Sequence, residues 1–477
     1  MTLPGTDMAA IAPLLIVSVT ALLLILVDAL FRKAPLLPPL IALAGLAAAG
    51  IAALAGESAS ATAFSAMVRT GPMASYLALL FCAAGFLAVL LAYAHLRGEI
   101  PDRGELYALI LFAVAGMILM ASAGDLVVFF LGLELMSVSF YVLAGIARGK
   151  SVSNEAALKY FLLGAFATGF LLYGIALVYG ATGTTGLVSF PERGGLQEPV
   201  ILSAGLALLM VGLMFKVAAV PFHMWVPDVY EGAPTPVTAL MSTGGKAAAF
   251  SGFLIVFTPA VLLAQPALRE ALAVVAAASM IAGNLMAVAQ SGVKRMLAYS
   301  SIAHAGYMLT GIVGANATGS GGVLFYLMAY TMMNAGAFGA VSLLEKSEGG
   351  PLTFEECAGL SRRSPLVAAL TALFMFSLAG VPPFAGFFGK YYVFAGAIEG
   401  GMAWLAVTGV VMSVVSAYYY LRLVVLMYFS EQAGAAPSAL RPLGIAALVI
   451  AAAAVICFGA FPSTLLALTS RCFPPLP

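Results

Sequence analysis

Apolar runs broken by glycine, proline or charge recur along the whole chain. A helix crossing a bilayer needs roughly 20 consecutive apolar residues. Runs of that kind begin near residues 9, 36, 74, 106, 124, 158, 200, 235, 267, 294, 322, 364, 402 and 441, which predicts an all-α polytopic membrane protein with about fourteen transmembrane helices. The first run, Ala9 to Leu30, is too long for a signal-peptide core and ends on Arg32-Lys33 without a basic segment before it, so a retained span is expected.

Charge gives the orientation, because Lys and Arg collect in short cytoplasmic loops. When the loops are numbered alternately, one side holds Arg32, Lys33, Arg97, Arg103, Arg148, Lys150, Lys159, Lys294, Arg295, Lys346, Arg362, Arg363, Arg422 and Arg441. The other side holds Arg69, Arg193, Arg269 and Arg471. This bias predicts an even number of crossings, with both termini on the non-cytoplasmic side of the cytoplasmic membrane. Lys294-Arg295 and Arg422 read as topology charges and headgroup anchors, and His95 as a loop residue.

Composition narrows the function. With 63% hydrophobic and 9% charged residues the surface is not that of a water-soluble protein, and a net charge of +1 supplies no field to gather nucleic acid. Cys82, Cys357, Cys457 and Cys472 form no C-x-x-C pair or Cys/His cluster, so no iron–sulfur, zinc or disulfide framework is predicted. Any redox centre is expected in a partner. Gly245-Lys246 and Gly389-Lys390 lack the earlier glycine and the Ser/Thr of a phosphate loop, so no nucleotide site is predicted.

Sliding the sequence by 166 residues superposes Leu131–Ile146 on Leu297–Ile312, with identities at Leu131/Leu297, Tyr141/Tyr307, Leu143/Leu309, Gly145/Gly311 and Ile146/Ile312. Val220-Pro221-Phe222 in span seven and Val381-Pro382-Pro383-Phe384 in span twelve are likewise five spans apart. Two five-helix units follow, and an odd number of crossings inserts the second upside down, as in many ion-moving proteins. The expected organisation is a three-helix segment over 1–105, a first repeat over 106–257, an inverted second repeat over 258–430 and a C-terminal helix over 431–477. Pro221 frees the carbonyl of Val217, and Pro382 and Pro383 free those of Leu378 and Ala379. Such breaks are tolerated in lipid only where protein or cavity water satisfies the backbone.

Few ionisable residues fall within the spans, and each costs at least roughly 2.5–3.5 kcal/mol at the centre. Glu134 lies in span five, Lys216 just before the span-seven break, Lys246 in span eight and Lys390 just after the span-twelve break. Burial disfavours a charge and pairing restores it, so a Glu–Lys pair that opens and closes changes its affinity for a proton. That suits a proton relay; the bland alternative is an ion pair that fixes helix packing. His304 on span ten is a further titratable group able to link the two halves. His223 is either a connection to water or a loop residue, and Lys159 either a modulator of Glu134 or a topology charge.

The stretches Val293-Lys-Arg-Met-Leu-Ala-Tyr-Ser-Ser-Ile-Ala-His304-Ala-Gly-Tyr307 and Lys216-Val-Ala-Ala-Val-Pro-Phe-His-Met-Trp-Val-Pro-Asp-Val-Tyr-Glu-Gly-Ala-Pro-Thr-Pro236 closely resemble the antiporter-like membrane subunits of proton-pumping NADH:quinone oxidoreductase, respiratory complex I. The wider family includes subunits of multisubunit sodium/proton antiporters. The span number, Lys390 in place of a glutamate and the lack of a long C-terminal extension make the chain most similar to the subunit N group. The resemblance implies a switchable Glu134/Lys216 pair, a central relay lysine at Lys246, a connecting histidine at His304 and a terminal site at Lys390. It also implies that NADH, FMN, iron–sulfur clusters and quinone are bound by partner subunits, with no cofactor in this chain, and that other complex I membrane subunits and lipid surround it.

Overall fold

A computed structural model describes residues 5–31, 34, 36–56, 62–96, 104–187, 199–345, 350, 352–431 and 441–473. Arg32, Lys33, Arg97, Arg103, Arg193 and Lys346 lie outside the described residues. The helices follow the apolar runs. Apart from the short helices Gly5–Ala10, Pro259–Ala264 and Leu360–Arg363, they are in chain order α1 (Ala12–Leu30), α2 (Leu37–Ala55), α3 (Pro72–Leu96), α4 (Gly104–Ala121), α5 (Leu126–Ala144), α6 (Ser151–Thr182), α7 (Pro199–Val217) and α8 (Trp225–Gly232). They continue with α9 (Thr235–Val256), α10 (Pro266–Val288), α11 (Val293–Val313), α12 (Ala317–Leu344), α13 (Pro365–Ala379), α14 (Ala385–Glu399), α15 (Ala403–Phe429), α16 (Pro442–Ala460) and α17 (Pro462–Cys472). Among the described residues, twelve helices are long and apolar enough to cross a membrane. Two expected spans fall outside that number for physical reasons. Lys294, Arg295 and His304 depress the apolarity of α11, and the span near 364 is divided into α13 and α14.

Local chemistry sets the helix ends. Proline occupies the first turn of α2, α10, α13 and α16, where its missing N–H costs nothing. Asp125 caps α5 by accepting from Val127 N at 2.7 Å, and Asn316 caps α12 by accepting from Gly319 N at 2.7 Å. In lipid, close packing rather than water exclusion holds helices together, so glycine lines the crossings. A Cβ on Gly116 of α4 would stand 2.5 Å from Met136 N of α5, and one on Gly396 of α14 would stand 2.3 Å from Gly319 Cα of α12.

The helices arrange as a core and a jacket. Side chains of α9 and α12 are almost wholly buried, whereas α1, α6 and α15 turn large apolar residues such as Leu22, Phe166 and Val414 outward. The N-terminal segment is not detached: α3 packs on α12 and α16, and α1 on α4.

Both proline breaks are built alike. Three residues ahead of Pro221, Ala218 takes φ +64°, and three ahead of Pro383, Gly380 takes φ +90°. A left-handed residue at each place turns the chain out of one half-helix before the next begins. Within α9, Met241–Gly245 form a π-helical turn that delivers Lys246. Such turns insert a residue, re-aim the side chains that follow and concentrate at functional sites.

Candidate proton-relay site

The break after α7 leaves carbonyls without helical partners, and neighbouring groups take them. Ala219 N donates to Met214 O at 2.9 Å, and the Trp225 indole donates to Phe215 O at 3.1 Å. Trp225 stacks on Tyr160 at 4.5 Å. Lys216, in the last turn of α7, enters the resulting aromatic chamber, with Nζ 5.6 Å from the Tyr141 ring centroid and 6.0 Å from that of Tyr160. Its ammonium donates to Ser137 Oγ at 2.8 Å and reaches the Tyr141 hydroxyl at 3.4 Å. Glu134 lies one turn before Ser137 on α5, partly exposed, and accepts from Thr168 Oγ1 at 3.1 Å. The expected Glu134/Lys216 pair is not closed by a direct ion pair: Lys216 donates to Ser137, one turn along α5 from Glu134, and the Ser137 hydroxyl donates in turn to Leu133 O at 2.5 Å.

The second group is built on α11. Lys246 Nζ donates to both the carbonyl and the hydroxyl of Ser301 at 2.5 Å. One turn on, His304 bonds through Nδ1 to Tyr326 OH at 2.8 Å and through Nε2 to Tyr420 OH at 3.0 Å. Tyr420 in turn meets Ser300 Oγ. A further turn along, Tyr307 lies 5.6 Å from His304, ring to ring, and 4.9 Å from Lys390 Nζ. Lys390 donates to Ala379 O at 2.9 Å, the carbonyl that Pro383 withholds from helical pairing. Residues 301, 304 and 307 therefore form one stripe at helical spacing from Lys246 to Lys390. Exposure is 7% at Lys216, 1% at Lys246, 5% at Lys390 and 1% at His304.

The accessory residues divide differently. His223 is half-buried in the turn between α7 and α8, and its ring bonds to neither Glu134 nor Lys216. Lys159 does not reach Glu134: its Nζ pairs with Glu155 and Asp228, each at 2.7 Å. Arg295 joins the same group, 3.1 Å from Asp228 and 2.8 Å from Glu231. Lys294 is buried, donates to Ala233 O at 2.8 Å and lies 3.7 Å from Glu345. The expectation of headgroup anchoring is therefore corrected for Lys294, which Glu345 of another helix meets in the interior, while Arg295 stays partly exposed. His95 is corrected too: it ends α3 and lies against Glu345 at 3.9 Å. Arg422 is exposed and sits over the Phe354 ring at 4.7 Å.

Ser137, Tyr141, Ser301, Tyr307 and Tyr326 were not singled out from sequence. The one available signal was the repeat itself, which pairs Tyr141 with Tyr307. Each of these tyrosines lies against the lysine beside a proline break.

Residues 123–416 match the family described as NADH:quinone oxidoreductase/Mrp antiporter, TM. The chain is 46% identical to NADH-quinone oxidoreductase subunit N of Trichlorobacter lovleyi, with 96% of each chain covered. It is 45% identical to NADH-quinone oxidoreductase subunit N 1 of Chloroherpeton thalassium, with 98% of each covered. Among solved structures it resembles a chain of respiratory complex I from Thermus thermophilus with bound aureothin, at TM-score 0.83 and 38% identity, covering 96% of this chain and 99% of that one. It shares a fold with a chain of the Mrp complex from Dietzia sp. DQ12-45-1b, at TM-score 0.86 and 22% identity, covering 97% and 96%. The chain belongs to the NADH-quinone oxidoreductase subunit N family of antiporter-like, multi-pass membrane proteins.

Proposed function

We propose that this chain is the N-type membrane subunit of an NADH:quinone oxidoreductase and relays protons through Glu134, Lys216, Lys246, His304 and Lys390, driven by quinone reduction in partner subunits. The observation that carries this reading is the stripe on α11, where serine, histidine and tyrosine lie in a row between two buried lysines, neither of which has a carboxylate in contact among the described residues. An ammonium held by hydroxyls and carbonyls can exchange its proton without breaking an ion pair. A hydroxyl both accepts and donates, so Ser301 can pass a proton and reset by rotating. Ser137 accepts from Lys216 in the same way, one turn along α5 from Glu134. No cofactor of the chain's own is needed for these steps; electron transfer belongs to the partners.

The reading includes about fourteen crossings, counting α11 and the α13/α14 pair as spans. It places two inverted five-helix units over 106–257 and 258–430, between the segments 1–105 and 431–477, with both termini on the non-cytoplasmic side. The matched breaks and the tyrosines at Tyr141 and Tyr307 support the repeat. The excess of Lys and Arg on one set of alternate loops supports the orientation. His223 and Lys159 act at most as accessory groups.

Lys216→Ala and Lys246→Ala, each introduced into the intact complex, test the relay. The expected outcome is normal assembly with fewer protons moved per NADH oxidised. Normal assembly with an undiminished ratio refutes it. The shared fold with the Mrp chain favours one second reading, a subunit of a multisubunit sodium/proton antiporter. Purification of the native assembly separates the two, because NADH-oxidising partners accompany only the first.

A further inference from the structure

Lys246 lies deep in the protein, and a relay centred on it needs a supply of protons from one face. Four helix ends meet near Ala233 and Glu345. The Glu345 carboxylate accepts from Thr235 Oγ1 at the start of α9, and stands 3.7 Å from Lys294 of α11 and 3.9 Å from His95 of α3. The His95 Nδ1 lies 2.8 Å from Ser342 O. These side chains are mostly but not wholly buried, at 13% exposure for Glu345 and 10% for His95. Other charged groups face the cluster: Glu231 and Lys150 act on Lys294, Arg295 is paired to Glu231, and Arg441 bonds to Ala94 O beside His95.

From this cluster a polar line leads inward. Thr235, Thr238 and Ser242 are spaced three and four residues apart on α9, and the π turn Met241–Gly245 leads from Ser242 to Lys246. The distance along the axis is roughly 16 Å at about 1.5 Å per residue. All four are buried, and so is Asn334 of α12, which donates to Ser242 Oγ at 2.8 Å. The Oδ1 of Asn334 and the hydroxyl of Tyr330 are buried without a hydrogen-bond partner of good geometry, although Tyr330 lies near both Asn334 and Ser301. Buried polar atoms left in this state call for water. A water bound there would link Ser242 and Asn334 to Tyr330 and Ser301, the residue that holds Lys246. An ion-pair latch between helix ends explains Lys294 and Glu345, but it gives no reason for the unpaired atoms further in.

We infer that Glu345, with His95 and Lys294, forms a proton-collecting site, and that the Thr235–Ser242 face of α9 with Asn334 carries protons from it to Lys246. The inference rests on the relay reading of Lys246 given above. A proton arriving from hydronium protonates the Glu345 carboxylate. Each later hop breaks one O–H bond as the next forms, and the last forms an N–H bond on the Lys246 amine; nothing is oxidised or reduced.

The test uses the assembled complex in inverted membrane vesicles, which turn this end of the bundle to the medium under the proposed orientation. Proton uptake per NADH oxidised is measured against pH for the parent, Glu345→Gln, Asn334→Leu and Lys246→Ala, with and without added imidazole. Hydronium supply falls about tenfold per pH unit, so Glu345→Gln is expected to match the parent near pH 6 and to lose about half or more of its uptake near pH 8. Imidazole, a small mobile proton carrier, is expected to restore that loss. Asn334→Leu, which interrupts the line further in, is expected to lower uptake at all pH values without rescue. A parental pH profile for Glu345→Gln together with parental uptake for Asn334→Leu, while Lys246→Ala is defective, overturns the collecting site and leaves the relay standing. An unimpaired Lys246→Ala overturns the relay itself. If Glu345→Gln does not assemble, His95→Gln and Asn334→Leu decide the matter, and parental behaviour of both overturns the inference.

Discussion

Trp225→Phe isolates what the indole does at the first break. In the parent the N–H of Trp225 donates to Phe215 O at 3.1 Å, while the ring stacks on Tyr160 at 4.5 Å and on Phe215 at 5.4 Å. Phenylalanine keeps much of the stacking and removes the donor. A buried carbonyl left unpaired costs about 1–3 kcal/mol. Phe215 O also accepts from Ala218 N at 3.1 Å, so the loss falls at the lower end, about 1 kcal/mol. The smaller ring leaves a gap whose cost adds about 1 kcal/mol. A total of about 1–2 kcal/mol corresponds to a factor of about 5–30 in a folded-to-unfolded ratio. Unfolding of a membrane assembly is irreversible, so the measurement is the half-life of NADH-driven proton uptake at a fixed elevated temperature. The expected result is a half-life shortened by about 5–30-fold, with initial electron transfer close to parental. A half-life within about twofold of the parent refutes the reasoning, because it means that the carbonyl needs no indole donor.

Two further outcomes follow from packing and burial. Gly396→Ala forces a methyl against the backbone of Gly319, where α14 crosses α12, and an overpacked crossing of this kind costs about 1–3 kcal/mol. Faster thermal inactivation of the assembled complex is expected, and a parental half-life counts against the tight crossing. Burial pushes the Cys357 thiol, in the segment between α12 and α13, up to about 12. At pH 8 its thiolate fraction is therefore about 10⁻⁴, against roughly a quarter for an unperturbed thiol, and maleimide labelling in the folded state is expected to be about 10³-fold slower. The raised value favours the folded state below the unfolded thiol's range near about 8.5 and is lost as pH climbs toward about 12. Labelling of Cys357 in the intact protein at the rate of a free thiol contradicts that burial.

Hydropathy and proline made much of the architecture legible, because both act locally. A run of apolar residues has no other stable state in lipid than a helix, and Pro221 and Pro383 break their helices wherever the neighbours lie. Glu134, Lys216, Lys246 and Lys390 stood out for the same reason: a charge inside an apolar run is conspicuous without knowledge of its partner. The partners were hidden because they are ordinary. Ser137, Ser301 and Tyr326 are residue types common in any helix, and what makes them matter is a neighbour from another helix. Lys294 shows the converse error. Next to Arg295 at a helix start it looks like a surface anchor, and only Ala233 O and Glu345, 61 and 51 residues away, draw it inside. Sequence patterns report the period of burial, and they do not report which distant group answers a charge.

The contrast between the two kinds of basic residue bears on why the buried ones exist. Near the helix ends, Lys159 and Arg295 meet carboxylates directly, sharing Asp228. At depth, Lys216, Lys246 and Lys390 meet serine hydroxyls, backbone carbonyls and aromatic faces, with no carboxylate in contact among the described residues. If the deep lysines served only to lock helices, direct ion pairs would do so at lower cost, and apolar side chains of similar volume at lower cost still. Three ammonium groups at membrane depth cost together roughly 8–10 kcal/mol at about 2.5–3.5 kcal/mol each. That is comparable to the whole net stability of a typical domain, about 5–15 kcal/mol. Partners that are neutral and able to both give and take hydrogen bonds offset only part of this cost. They leave each lysine free to change its proton without tearing an ion pair apart. A packing device has no use for that freedom, whereas the proposed relay through Lys246 and Lys390 draws on it.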